Sequence, residues 1–191
     1  MKYTVNLDPK ELYALADELD KYADDFEAKV KVFLMRLADV GISVAEANGG
    51  VFGSYIVYSK EFEDNGATKI VNLVASGESI TRIWYASSKS AEPRTEVINA
   101  LLMAEFGSGR YAIDGVDGLG GKGTLNLYGH ANDPSGWYWW TDNPSTDGEM
   151  KTVKDGRFLF HSDGLPPYQP LRKAIKACIE QVYDIAQEVF G

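Results

Sequence analysis

The chain has 191 residues, 45% of them hydrophobic and 25% charged, a composition that excludes wholesale disorder and fibrous repeats and predicts a single domain with a substantial core. The formal charge is -9, which argues against a general nucleic-acid binder, because affinity for the phosphate backbone comes mainly from Lys and Arg. The lone cysteine, Cys178, excludes an intrachain disulfide.

The start, Met1 to Pro9, has no apolar stretch of signal-peptide length, and nowhere do enough apolar residues run together to span a bilayer. The expectation is a protein that is neither secreted by that route nor membrane-embedded. Asp8, Pro9 and Glu11 form a helix start, with a capping carboxylate, a first-turn proline and a capping-box glutamate. From there Leu12, Leu15, Leu19, Tyr22, Phe26, Val30, Phe33, Leu37, Val40 and Val44 recur at threes and fours, the spacing of one apolar stripe. The spacing predicts a helix over about 9–46. Unbroken, it would be roughly 55 Å long, more than a compact domain needs, so its far end is expected to seek a partner. A kink or break near Gly41, with both pieces on one core, is the alternative.

The period then changes. Val51–Phe62, Ala67–Ser76 and Ser79–Ser87 are rich in Val, Ile, Tyr and Trp and predict antiparallel strands, the first two joined at Asn65-Gly66 as a hairpin. Glu92–Phe106 predicts a short helix or strand that stops at Gly107-Ser108-Gly109 and closes a sheet region over about 51–106. Residues 107–149 form a loop-rich insert, with Thr124–Tyr128 and Trp137–Thr141 as short strand candidates. Arg157–His161 predicts a last strand, and Gly164–Pro170 breaks the chain before a final helix. In that helix Leu171, Ile175, Cys178, Val182, Ile185 and Val189 again repeat at threes and fours. The predicted fold class is α+β, an antiparallel β-sheet bracketed by a long N-terminal helix and a C-terminal amphipathic helix.

Chemistry-bearing motifs are scarce. Gly118-Leu119-Gly120-Gly121-Lys122-Gly123 has the glycine spacing of a dinucleotide loop, yet Thr124–Tyr128 after it predicts strand where a helix start is needed, and no Ser or Thr follows Lys122. Asp114, Asp117, Asp133, Asp142, Asp147 and Asp155 supply hard oxygen donors but fit no EF-hand spacing and read as turn residues. His130 and His161 with one cysteine cannot assemble a Cys/His zinc set. Cys178 sits in an apolar pattern and reads as a buried structural thiol. Arg172, Lys173 and Lys176 read as a solvated helix face.

No Gly-x-Ser-x-Gly elbow occurs, so no catalytic residue, cofactor or metal is predicted, and the chain is expected not to be an enzyme. Trp137-Tyr138-Trp139-Trp140 is the most unusual feature, since strand alternation would place two aromatics on each side. Such a patch fits core packing, a subunit interface, or a sugar-binding platform. The last possibility makes a carbohydrate-binding module the alternative function. A glycoside hydrolase drawing on Asp133, Asp142 and Glu149 is a third reading, with no separation defined by sequence.

Three pieces in order resemble the neck and tail-completion (head–tail joining) proteins of long-tailed phages. They are the N-terminal helix, Ala104-Glu105-Phe106-Gly107-Ser108-Gly109, and Gly164-Leu165-Pro166-Pro167-Tyr168-Gln169-Pro170-Leu171 leading into the last helix. Trp137–His161 is similar to the aromatic insert that many members carry between those two motifs. The matching motif positions are Glu105, Phe106, Gly107, Gly109, Gly164, Pro166, Pro170 and Leu171, with Ser108 standing where Thr is common and Leu171 where Phe is.

The resemblance implies a non-enzymatic virion structural protein at the head–tail junction, made in the host cytoplasm. It would assemble as a homo-oligomeric ring, such as a hexamer or dodecamer. Its partners would be connector or head-closure proteins on one side and tail-tube or tail-terminator proteins on the other, with no membrane and no sequence-specific nucleic acid. Trp137, Tyr138, Trp139 and Trp140 are the interface candidates, and the 107–149 region is expected to dock the next ring.

Overall fold

The computed structural model describes residues 9–85, 92–113, 135–145 and 148–191. The readings at Gly118–Gly123, Thr124–Tyr128, Asp114, Asp117, Asp133, Asp147 and His130 lie outside these residues. The chain is α+β, about 50% helix and 30% strand.

The first helix, α1, runs without interruption over Pro9–Ala47, a length of 39 residues and about 58 Å at 1.5 Å per residue. It passes straight through Gly41, where a break had been the alternative. Gly41 is a point of close approach: a Cβ there would lie 2.6 Å from Leu73 Cδ1 and 3.0 Å from Cys178 Sγ. Gly41→Leu is therefore expected to destabilise the fold by about 1–3 kcal/mol through overpacking, read as a lower urea midpoint with an unchanged m-value.

After α1 the positive φ of Gly50 (57°) turns the chain, and Gly50–Tyr55 forms a 3₁₀ helix. The predicted strand from Val51 accordingly starts later, because burying Phe52 over the Gly49 carbonyl favours the tight helical turn. Strands β1 (Ile56–Asp64) and β2 (Lys69–Gly77) pair in register from Ile56↔Gly77 to Asp64↔Lys69. Their turn is the expected hairpin at Asn65-Gly66, closed by Asn65 N–H to the Thr68 carbonyl at 3.0 Å and by Gly66 N–H to Asp64 Oδ1 at 3.0 Å.

Strand β3 (Ser79–Trp84) leaves β2 and pairs with β4 (Arg94–Asn99) instead. The Glu92–Phe106 segment thus holds both elements foreseen as alternatives, β4 and then helix α2 (Ala100–Phe106). Asn99 makes the switch: its Oδ1 accepts from Leu102 N–H at 3.2 Å and its Nδ2 donates to the Gly77 carbonyl at 3.0 Å, an N-cap that also ties α2 to the end of β2.

Strands β5 (Trp137–Thr141), β6 (Glu149–Lys154) and β7 (Arg157–Ser162) make a third sheet in the order β5-β7-β6. Reciprocal bonds between Tyr85 and Tyr138 (2.7 and 3.1 Å) link it to β3. The strands of the described residues therefore form three small antiparallel sheets in place of the one expected sheet. Finally, α3 (Pro170–Phe190) runs back along α1, and the β1–β2 hairpin lies along α1 as well.

The core gathers Phe52, Ile56, Ile98, Ala100, Met103 and Ala104, with Tyr58, Leu165 and Tyr168 packed around them. A second buried pair, Leu159 and Phe160, occupies both faces of β7, as expected for the central strand of its sheet. Where α1 and α3 meet, Phe190 packs against Phe26 and Phe33 at 5.8 Å each, and Arg36 pairs with Glu188 at 3.0 Å. Cys178 is half-buried and donates to the Leu37 carbonyl at 3.2 Å, and burial raises its thiol pKa. It is a packing residue, not an activated nucleophile.

Candidate functional site: two motif segments interlocked at the start of α3

The two segments that carry the motifs, 104–109 and 164–171, meet in space. Helix α2 ends at Gly107, whose φ of 72° turns the chain while its N–H closes onto Met103 O at 2.9 Å. The next residues run against the 163–165 backbone. Ser108 N–H donates to the Leu165 carbonyl at 2.9 Å, Leu165 N–H donates to Ser108 Oγ at 3.0 Å, and Arg110 N–H donates to the Asp163 carbonyl at 3.0 Å.

At its three glycines the two segments of this clasp leave no room for a side chain. A Cβ on Gly107 would lie 2.7 Å from Leu165 O; one on Gly109 would fall onto Asp163 O, and one on Gly164 onto Ser108 O. Gly109 and Gly164 also have positive φ, 59° and 114°, so the glycines satisfy a steric and a conformational demand together. Ser108 is fully buried with its hydroxyl bonded, which explains why a small hydroxyl residue suits the position.

Glu105 lies beside the clasp, only 5% exposed. Its Oε2 accepts from Leu171 N–H at 2.9 Å and its Oε1 from Arg172 N–H at 3.3 Å. A helix leaves its first N–H groups without intrahelical acceptors, and a carboxylate there also meets the positive end of the helix dipole. Glu105 therefore caps α3 from another helix. Gln169, the residue at the cap position itself, has a left-handed φ of 56° and makes no side-chain capping bond. Pro170, fully buried, opens the helix without needing an acceptor for an N–H.

The Ala104 carbonyl completes the junction by accepting from Tyr168 N–H (2.8 Å) and Gln169 N–H (3.1 Å). Burial raises the Glu105 carboxyl pKa, and the two backbone N–H bonds, followed by the Arg172 and Lys173 charges, only partly oppose this. The same burial, with the charges of Glu105 and Glu46, pushes the Tyr58 phenol up to about 12, and its hydroxyl has no hydrogen-bond partner among the described residues. On the outer side, Lys173 Nζ bonds Asn48 Oδ1 at 2.9 Å and fastens α3 to the end of α1.

Every motif position thus has a defined place. Glu105, Phe106 and Pro170 are buried, Gly107, Gly109 and Gly164 line the backbone contact, Leu171 presents its N–H to Glu105, and Pro166 is exposed. Ser108, Tyr168 and Gln169 join them without having been singled out as site residues; the signal for Tyr168 would have been Gly50, whose missing Cβ leaves room for the Tyr168 ring.

The four aromatics stand apart, in β5. The register places Trp137 and Trp139 on the side of Ser162 and Phe160, and Tyr138 and Trp140 on the side of His161 and Leu159, two on each side as alternation predicts. All four are half-buried. Trp139 stacks on Phe160 at 5.8 Å and Tyr138 lies against His161 at 4.5 Å, so these two rings already meet a neighbour. Among the described residues no group of three or more His, Cys, Asp or Glu side chains is placed to hold a metal ion, and no helix is long and apolar enough to cross a membrane. Comparison with protein-family models, with curated proteins and with solved structures returned no match.

Proposed function

We propose that this protein is a virion structural protein of a long-tailed phage, a neck or tail-completion protein at the head–tail junction. It acts without catalysis, by self-association into a ring and by docking to connector or head-closure proteins and to tail-tube or tail-terminator proteins.

The observation that carries the reading is the clasp. The two sequence segments on which the resemblance rests, 57 residues apart at Ser108 and Leu165, close on one another and fix the start of α3. They behave as one structural unit, and its parts are glycines, a buried cap and backbone bonds rather than groups poised for chemistry. Beyond the end of α3 the first half of α1 has its apolar side chains in solvent, which suits a subunit that is complete only in an assembly.

The test is to mix the purified protein with the connector and tail-tube proteins encoded beside it and to image the products by negative-stain electron microscopy. A ring seated coaxially on either partner is expected. The absence of any ring, together with saturable glycan binding lost in Trp139→Ala, would replace this reading with the carbohydrate-binding module.

A further inference from the structure

One apolar stripe runs the length of α1, and only part of it is covered. From Phe26 to Ala47 it faces α3 and the β1–β2 hairpin, beginning where Phe190 at the end of α3 meets Phe26. Before that point Leu12, Leu19 and Tyr22 are 46, 55 and 66% exposed, along about 25 Å of helix. This stretch is strongly acidic, with seven carboxylates from Glu11 to Glu27 against Lys10 and Lys21.

A second apolar stripe lies on the outer side of α3. Ile175, Ile179, Val182 and Tyr183 are 50, 68, 42 and 69% exposed, and their spacing places them on one helix face. The face they form is turned away from Ala174 and Ile185, which pack inward. Arg172 and Lys176 flank this stripe at its N-terminal end, Lys176 paired with Glu180 at 3.7 Å on the helix surface. The chain thus carries an acidic apolar projection and, elsewhere, an apolar face whose N-terminal end carries cations.

Building on the ring reading above, we infer that the projecting half of α1 docks on the outer face of α3 of a second copy. Leu12, Leu19 and Tyr22 cover Ile175, Ile179 and Tyr183, and the α1 carboxylates meet Arg172 and Lys176. Pairing of two projecting α1 halves with each other would set acidic against acidic and is disfavoured by charge. The contact joins different faces of successive subunits, so it propagates and closes into a ring when the rotation permits.

The test uses the full chain carrying Cys178→Ala, with Leu19→Cys in one preparation and Ile179→Cys in another, one of them bearing a mass tag. Both sites are exposed, so the fold should be kept, as circular dichroism will verify. Under mild oxidation the mixture is expected to give the mixed disulfide in several-fold excess over either homodimer. Leu19→Asp and Ile179→Asp are each expected to raise the concentration needed for assembly at least about tenfold, and added salt should weaken association.

A dominant Leu19→Cys homodimer, or a mixed product no more abundant than random, overturns the inference. Rings that form without the mixed disulfide refute this contact while leaving the neck reading intact. Mixed disulfides in assemblies that never engage a connector or tail protein refute the neck reading and leave the contact standing. A strict monomer at every concentration overturns both.

Discussion

Gly164→Ala is expected to be among the most damaging single substitutions in the chain, lowering stability by about 4 kcal/mol or more. The added methyl falls onto the Ser108 carbonyl oxygen, and Gly109 and Ser108 backbone atoms block the alternatives. Backbone cannot yield as a side-chain tip can, so the clasp must open, taking with it the Ser108–Leu165 bonds at 2.9 and 3.0 Å. The control is Gly156→Ala. That glycine has a similarly unfavourable φ of 77° but open space around it, so only the conformational cost of about 1–2 kcal/mol should be seen. Urea unfolding of the two variants measures the difference, and equal losses would mean that the close backbone approach contributes nothing.

The second large effect is expected at Glu105. Glu105→Ala leaves the Leu171 and Arg172 N–H groups without their carboxylate inside a buried junction and should cost about 2–4 kcal/mol. Glu105→Gln retains one acceptor and presents an NH₂ to the other donor, so a smaller loss of about 1–2 kcal/mol is expected. The pH dependence follows from the raised carboxyl pKa. Because the folded value lies above the ordinary 4.5, the stability Glu105 contributes is fully present below that pH and declines as pH rises through the folded value. The advantage of the wild type over Glu105→Gln should therefore be larger at about pH 4 than at about pH 7. A larger advantage at pH 7 would show that the two N–H bonds outweigh burial.

The parts of this architecture that were legible in the sequence are those whose signal is local. The stripe from Leu12 to Val44 and the one from Leu171 to Val189 define α1 and α3 within a residue or two, because 3.6-residue periodicity is written on the chain itself. The hairpin at Asn65-Gly66 and the strand at Trp137–Thr141 follow from turn chemistry and β-propensity in the same way. Strand β6 was not legible because every residue from Glu149 to Lys154 is exposed, which erases the alternation that marks a half-buried strand. Its charged side chains, Lys151 and Lys154 among them, suit an edge strand that must not pair further.

The partition of strands among three sheets was hidden for a different reason. β2 and β3 are separated by Glu78 alone, yet Glu78 N–H bonds the Tyr55 carbonyl and its own carbonyl accepts from Ala100 N–H. These long-range bonds redirect the chain, and no neighbouring residue announces them. The same holds at the candidate site: the motif residues were identifiable, but the cap that Glu105 places on α3 joins positions 66 apart. Periodicity also could not tell the covered half of the α1 stripe from the bare half, since Leu19 at 55% exposure and Leu37, packed beside Cys178, obey one spacing.

Mass in solution tests most directly whether the subunit is incomplete alone. Light scattering across a concentration series, on the protein alone and then with a co-encoded connector or tail-tube protein, is predicted to give a discrete ring-sized oligomer in at least one condition. A strict monomer at every concentration, with and without those partners, would contradict it.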